Sequence, residues 1–395
     1  MDFKLTDEQG KLRQEFFDVC KELAKGKPTG FTGLEGRYDT EEGWQYHLDC
    51  ARKFAQRGWL CLGWPKEYGG QGTLMDKVFL AEATGYYDVP GVDVFGVDML
   101  APTLLEAASE EIKREFLPSI RSGERQWCEL WSEPNAGSDL AGLTTTAVRK
   151  GDEYVINGQK TWSTGAHRGH WAFAIVRTQT NVDRKQKGLT FILFDMKTPG
   201  VTVRPLHYMN RGHLYNEVFL DDVHVPAKNV VGKEGDGWQV TQALASFERS
   251  NLNSIMAMHK QLELLIGYCN ETRVEGQLLA KNPVIRDRLA QIACDLMAAR
   301  TLAYRIADAQ IKHQMANFDA SAVKIFAGEL WSSLNRTALD ILGIYGQVEL
   351  SRWSPFEGFF QTWYQQSFVW NISMGTNEIQ RNIIAWYGLG LPRMK

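Results

Sequence analysis

The spacing of apolar residues changes twice along the chain, and this limits the possible folds more than any other feature. Over residues 7–24, Leu12, Phe16, Phe17, Cys20 and Leu23 recur three and four apart, which predicts an amphipathic helix. A glycine-rich loop over 25–37 precedes a second helix over 41–57, and apolar helices are expected again over 75–84 and 97–117. Between about Gly123 and Gly235 the period shortens from 3.6 to 2. The turn Lys150-Gly151-Asp152 leads into Tyr154-Val155-Ile156 as in a hairpin, and strand-like runs recur at 171–177, 189–196, 201–205 and 217–225. Short strands at such spacing predict a compact sandwich or barrel. Helical spacing returns at 238–272. Ile285, Leu289, Ile292, Leu296, Ala299, Ala303 and Ile306 then step alternately by four and three, a coiled-coil-like seam. Helices over 320–342 and 377–387 complete a bundle. The expected class is α+β and multidomain, with an α-helical domain over 1–125, a β domain over 126–235 and a helical bundle over 236–395.

A length of 395 residues fits two or three domains. With 44% hydrophobic and 23% charged residues the chain reads as soluble and globular. A net charge of −3 and the lack of a basic stripe argue against nucleic acid as a partner. No run approaches the roughly 20 apolar residues of a membrane span. Cys20, Cys50, Cys61, Cys128, Cys269 and Cys294 form no C-x-x-C pair, so reduced thiols and a cytoplasmic location are expected. His167 and His170 have no third ligand near them in sequence, so no metal is expected.

Two loops stand out in the β region. One is Trp131-Ser132-Glu133-Pro134-Asn135-Ala136-Gly137-Ser138-Asp139-Leu140, and the other Gly158-Gln159-Lys160-Thr161-Trp162-Ser163-Thr164-Gly165. Both are rich in small and hydroxyl-bearing residues and both carry a tryptophan. Such loops suit a polar aromatic ring system held at its edge by backbone donors and stacked on one face. A flavin is such a ring system.

These segments, with those at 62–72, 132–143, 157–164 and 217–226, Gly237-Trp238, Glu248-Arg249 and the closing 375–381, resemble the acyl-CoA dehydrogenase family over essentially the whole chain. The resemblance implies an N-terminal helical domain, a central β domain and a C-terminal four-helix bundle. It implies FAD as cofactor, an acyl-CoA thioester as substrate and α,β-dehydrogenation, with an electron-transfer flavoprotein as acceptor. Transferred residue by residue, it places Trp131 and Ser132 in the first flavin loop, Trp162 against the isoalloxazine and Thr164 near flavin N5. Thr376 and Glu378 fall where the closing motif meets the cofactor, and Ser138 on the CoA path. The Met374 amide, beside Gly375, would donate to the thioester oxygen.

Three departures from the family pattern matter. Many members carry the catalytic glutamate where this chain has Met374, and a thioether accepts no proton at neutral pH. A minority place the base directly before an arginine on a helix opening the C-terminal bundle, which makes Glu248 the expected base and leaves Arg249 to orient it or the substrate. The family's contacts to the far end of FAD become Arg273-Val274-Glu275-Gly276 and Asp340-Ile341-Leu342-Gly343, so an aromatic is replaced by Glu275 and a glutamine by Asp340. Two assemblies are compatible with this, a homotetramer or an α2β2 heterotetramer with a paralogue. An acyl-CoA oxidase and a scaffold subunit completing a paralogue's FAD site are alternative readings. The vacated base position, shared with members handling bulky acyl groups, points to an alicyclic, branched or steroid-like substrate. Asp93 and Asp98 lie where the resemblance puts the acyl pocket; buried there, either would meet a polar substituent, whereas solvated loop acids would not.

Overall fold

Thr6 opens the first helix with a capping box: its hydroxyl accepts the Gln9 N–H at 3.2 Å and the Gln9 side chain accepts the Thr6 N–H at 3.0 Å. The helix runs Asp7–Ala24, over the residues its spacing predicts, and buries Phe16, Cys20 and Leu23. The computed structural model describes residues 5–31, 33–247, 252–312, 314, 317–349 and 351–393, without the side chains of 33–35, 245–247 and 317. The chain divides into two compact units, one drawn from Met1–Thr32, Thr73–Val89 and Arg249–Lys395, the other from Gly33–Gly72 and Pro90–Glu248. Both draw on the N-terminal 125 residues.

The first unit is helical. Asp7–Ala24 and Leu74–Tyr87 pack with Leu252–Glu271, Pro283–Ile311, Asn317–Leu342 and Phe359–Ser367. Asn282 caps the Pro283–Ile311 helix, its Oδ1 accepting the Val284 N–H at 2.9 Å, and Pro283 takes the first position, where a missing N–H costs nothing. Its seam buries Leu289, Ile292, Leu296, Ala299, Ala303 and Ile306. The alanines let neighbouring helices approach closely, while the bulk that fills the same core comes from Ile255, Leu262, Leu330, Trp331 and Leu334. A charged cluster lies inside this unit. Glu82 is fully buried and accepts from Arg13 Nε at 2.7 Å and Arg300 Nε at 2.8 Å, joining three helices. No helix among the described residues is long and apolar enough to cross a membrane.

The second unit is built on an eight-stranded mixed sheet. Its strands are β1 Trp127–Leu130, β2 Thr146–Lys150, β3 Glu153–Lys160, β4 Trp171–Arg177, β5 Leu189–Asp195, β6 Val201–Leu206, β7 Tyr215–Pro226 and β8 Val230–Val231. The order is β6-β7-β3-β2-β4-β5-β8, with β1 pairing in parallel beside β4. The hairpin at Gly151 forms as its sequence predicts, with Lys150 opposite Glu153. β4 and β5 are buried on both faces, whereas the edge strand β6 alternates. Cys128, Ala147, Ile156, Ala174, Ile192, Val218 and Val223 share one core.

The single helix expected over 97–117 is broken. A π-helical turn at Val94–Leu100 runs into Ala101–Ala107, and a separate helix spans Glu110–Arg121. Side-chain caps set where these helices start. Asp93 opens the first by accepting the Phe95 N–H at 3.2 Å, and Ser109 opens the second, after the break, by accepting the Ile112 N–H at 3.3 Å.

Candidate functional site

The two tryptophan-bearing loops both lie in the second unit and are stitched together. β1 delivers the chain to Trp131, and β3 delivers it to Thr161. The Thr161 N–H donates to the Ser132 carbonyl at 2.8 Å. Beneath this contact Lys160 and Glu133 are buried together. Lys160 Nζ donates to Glu133 Oε1 at 3.0 Å, to the Trp131 carbonyl at 3.0 Å and to the Ile175 carbonyl at 2.8 Å. Glu133 also accepts the Thr144 N–H at 2.7 Å and the Thr145 N–H at 2.9 Å. Burial alone would raise the Glu133 carboxyl, but Lys160 and the threonine donors overcome it and hold it at about 2. Burial pushes Lys160 down to about 8 against the pull of Glu133. Both residues stand within the quoted motifs, yet nothing in sequence marks them as partners.

Trp162 adopts the left-handed region at φ 58° and leaves its indole 55% exposed, edge-on to Tyr215 at 5.5 Å. Gly165 follows at φ 64°, and a Cβ there would lie 2.3 Å from Tyr38 Cε1, so only glycine fits. Thr164 and Ser132 are half-buried and Ser138 is exposed. Trp131 Nε1 and Ser163 Oγ are buried without a hydrogen-bond partner among the described residues. Two such orphaned donors around an open indole fit a planar group with acceptors at its edge, as the isoalloxazine of FAD has.

The closing motif belongs to the first unit. Met374 and Gly375 take consecutive left-handed conformations, φ 55° and 77°. The Met374 carbonyl accepts from Gln380 Nε2 at 2.7 Å, and Ser321 Oγ donates to Gln380 Oε1 at 2.6 Å. Thr376 commits its hydroxyl to capping, accepting the Ile379 N–H at 3.2 Å. Lys324 Nζ, buried beside it, donates to Asn377 Oδ1 at 2.8 Å. Glu378 is exposed at the start of the Asn377–Ile383 helix, where backbone and Thr376 hydrogen bonds hold its carboxyl low. Gln380, within the closing motif, and Lys324, which carries no recognisable signal, support this turn.

Glu248 and Arg249, the expected base and its neighbour, lie outside the described residues. Arg273 is exposed in the Arg273–Leu278 hairpin and donates to the Gly276 carbonyl at 2.8 Å, with Glu275 exposed beside it. Asp340 pairs with Arg288 at 2.8 Å. Asp93 is no solvated loop acid. It is buried, accepts the Trp127 N–H at 2.9 Å, and is pushed up to about 7 by burial. Asp98 is half-buried. His170 Nδ1 accepts the Gln126 N–H at 3.1 Å, and among the described residues no group of three or more His, Cys, Asp or Glu side chains is placed to hold a metal.

Sequence profiles of the acyl-CoA dehydrogenase N-terminal, middle and C-terminal domains match residues 6–124, 128–223 and 235–387. Acyl-CoA dehydrogenase IpdE1 of Mycobacterium tuberculosis is 36% identical over 376 residues, covering 93% of this chain and 94% of that protein. The crystal structure of the ChsE4-ChsE5 complex from Mycobacterium tuberculosis is similar at a TM-score of 0.89 and 29% identity over 100% of both chains. The steroid ACAD Tcur3481-Tcur3483 is similar at 0.88 and 28% identity, again over 100% of both. The chain belongs to the acyl-CoA dehydrogenase family and is an FAD-dependent oxidoreductase acting on the CH–CH group of an acyl-CoA.

Proposed function

We propose that this chain dehydrogenates a ring-bearing, steroid-like acyl-CoA with Glu248 as the base. The observation that carries the reading is the side chain at residue 374. A thioether occupies the left-handed turn before Gly375, and the nearby carboxylate, Glu378, is exposed and held in its anionic form by its own helix start. A carboxylate stabilised in that way is a weak base. Glu248 would take the α-proton, and the Met374 amide would donate to the thioester oxygen as negative charge develops there. The chemistry that bound FAD would supply is acceptance of the β-hydrogen as hydride. Trp162 would cover one face of the ring, Thr164 would donate near N5, and Trp131 and Ser132 would meet its edge. Ser138 would border the CoA path, Arg249 would orient base or substrate, and Arg273, Thr376 and Glu378 would face the cofactor's other contacts. In this reading residues 126–235 form the flavin-facing domain between helical segments 1–125 and 236–395.

The substrate class is supported by the similarity to a steroid ACAD. Similarity to the ChsE4-ChsE5 complex supports assembly with a paralogous chain in an α2β2 arrangement. A homotetramer is the second reading, favoured by the Asp340–Arg288 pair, which already neutralises the carboxylate standing in for the family's glutamine. An electron-transfer flavoprotein is the proposed acceptor.

Anaerobic titration of the purified chain with straight, branched, cyclic and steroid acyl-CoAs tests the proposal, alongside FAD per chain and mass in solution. Flavin bleaching fastest with the ring-bearing thioesters is expected. Equal or faster bleaching by straight-chain thioesters would count against the substrate class. A colourless chain that gains flavin only with a paralogue would decide for the mixed assembly, and a stoichiometrically flavin-loaded homotetramer against it.

A further inference from the structure

Asn216 grips Ser163 at both of its backbone groups. Its carbonyl accepts the Ser163 N–H at 3.0 Å, and its side-chain Nδ2 donates to the Ser163 carbonyl at 3.0 Å. These groups belong to the two peptide units flanking Ser163, one shared with Trp162 and the other with Thr164. Asn216 is fully buried and its amide is fully used. Nδ2 also donates to His167 Nδ1 at 3.1 Å, and Oδ1 accepts from His213 Nε2 at 2.9 Å. Turned over, the amide would set its oxygen against the Ser163 carbonyl, so its orientation is fixed.

The same argument fixes the histidines. Because Asn216 donates to His167 Nδ1, that nitrogen carries no proton; the ring proton sits on Nε2 and goes to the Tyr38 carbonyl at 3.1 Å. Burial holds His167 down to about 4, so the neutral ring that this pattern needs persists at ordinary pH. His213 stacks on His167 with 3.8 Å between ring centroids and planes 16° apart. The result is a closed network behind a tryptophan in a conformation that non-glycine residues keep only when their surroundings impose it.

We propose that Asn216, locked by His167 and His213, is the positioning residue that sets how Trp162 and Thr164 are presented to the flavin. This inference rests on the reading that Trp162 and Thr164 meet the flavin. Asn216 itself has no need to touch cofactor or substrate.

Asn216→Asp keeps the volume and the acceptor for His213 while removing both N–H donors. In the FAD-loaded enzyme it is expected to weaken FAD binding about tenfold, to shift the flavin absorption bands, and to lower kcat with KM for acyl-CoA unchanged. A lowered Tm with unchanged FAD affinity and spectrum would mean a merely structural role and overturns the proposal. If Asn216→Asp does not fold, His213→Phe keeps the stack and removes one donor; a smaller shift in the same direction is expected, and none overturns it. Trp162→Ala and Thr164→Ala separate the two ideas. If both leave FAD affinity and spectrum intact, the flavin reading fails; if they change them while the Asn216 and His213 variants do not, only the positioning role fails.

Discussion

Lys160 and Glu133, 27 residues apart in the chain, meet at 3.0 Å with their side chains sealed from solvent. The ammonium that neutralises Glu133 also holds the Trp131 carbonyl, so one tryptophan-bearing loop fixes the entry to the other. Removing one partner of such a pair leaves an uncompensated buried charge. Lys160→Met is therefore expected to cost about 3–5 kcal/mol in urea unfolding, and the double variant Lys160→Met with Glu133→Gln to recover part of that. A double variant as unstable as the single one would contradict this account.

The same pair sets an acid limit. The Glu133 carboxyl titrates at about 2 in the folded chain against 4.5 as its ordinary value. Its folded value is the lower one, so the unfolded chain takes up this proton first as pH falls. The stability it contributes is fully present above 4.5 and is lost as pH drops through about 2. Tm measured from neutral pH downward should fall over that window, and the fall should be shallower in the double variant.

Glu248→Gln should abolish anaerobic flavin reduction by acyl-CoA, a loss of about 10²–10⁴-fold or more, with FAD still bound. Met374→Ala should keep measurable activity, because the donor assigned to residue 374 is its backbone amide. Stopped-flow reduction rates decide the matter, and full activity in Glu248→Gln would sink the assigned mechanism.

Gly165→Ala should be costly out of proportion to one methyl group. The residue sits at φ 64° with Tyr38 Cε1 2.3 Å from the added Cβ. A loss of about 1–3 kcal/mol is expected from urea unfolding, together with weaker FAD binding. Gly137→Ala, where nothing lies within 4 Å, is the control and should change little.

Much of the fold is legible in the sequence because burial is periodic. The spacing of Phe16, Cys20 and Leu23 marks the first helix, and the four-and-three steps through Leu289 and Ala303 mark the bundle seam. Periodicity cannot see competing caps, so Ser109 restarts a helix that the apolar pattern alone would run through unbroken. Nor does it mark the short Phe359–Ser367 and Val369–Ile372 helices. At the site, resemblance marks the loop residues such as Trp162 and Thr164. The contacts that hold those loops act through space: Lys160 reaches Trp131 across 29 residues and Asn216 reaches Ser163 across 53, pairings that no local pattern announces.

The buried Glu82 joins Arg13, 69 residues before it, to Arg300, 218 residues after it. During synthesis at about 5–20 residues per second, the second arginine leaves the ribosome on the order of 10–40 s after the glutamate. Throughout that interval Glu82 has only Arg13 of its two arginines, and the Leu74–Tyr87 helix lacks the Pro283–Ile311 helix it packs on. Slowing translation between residues 82 and 300 should therefore raise aggregation more than an equal delay placed after Arg300.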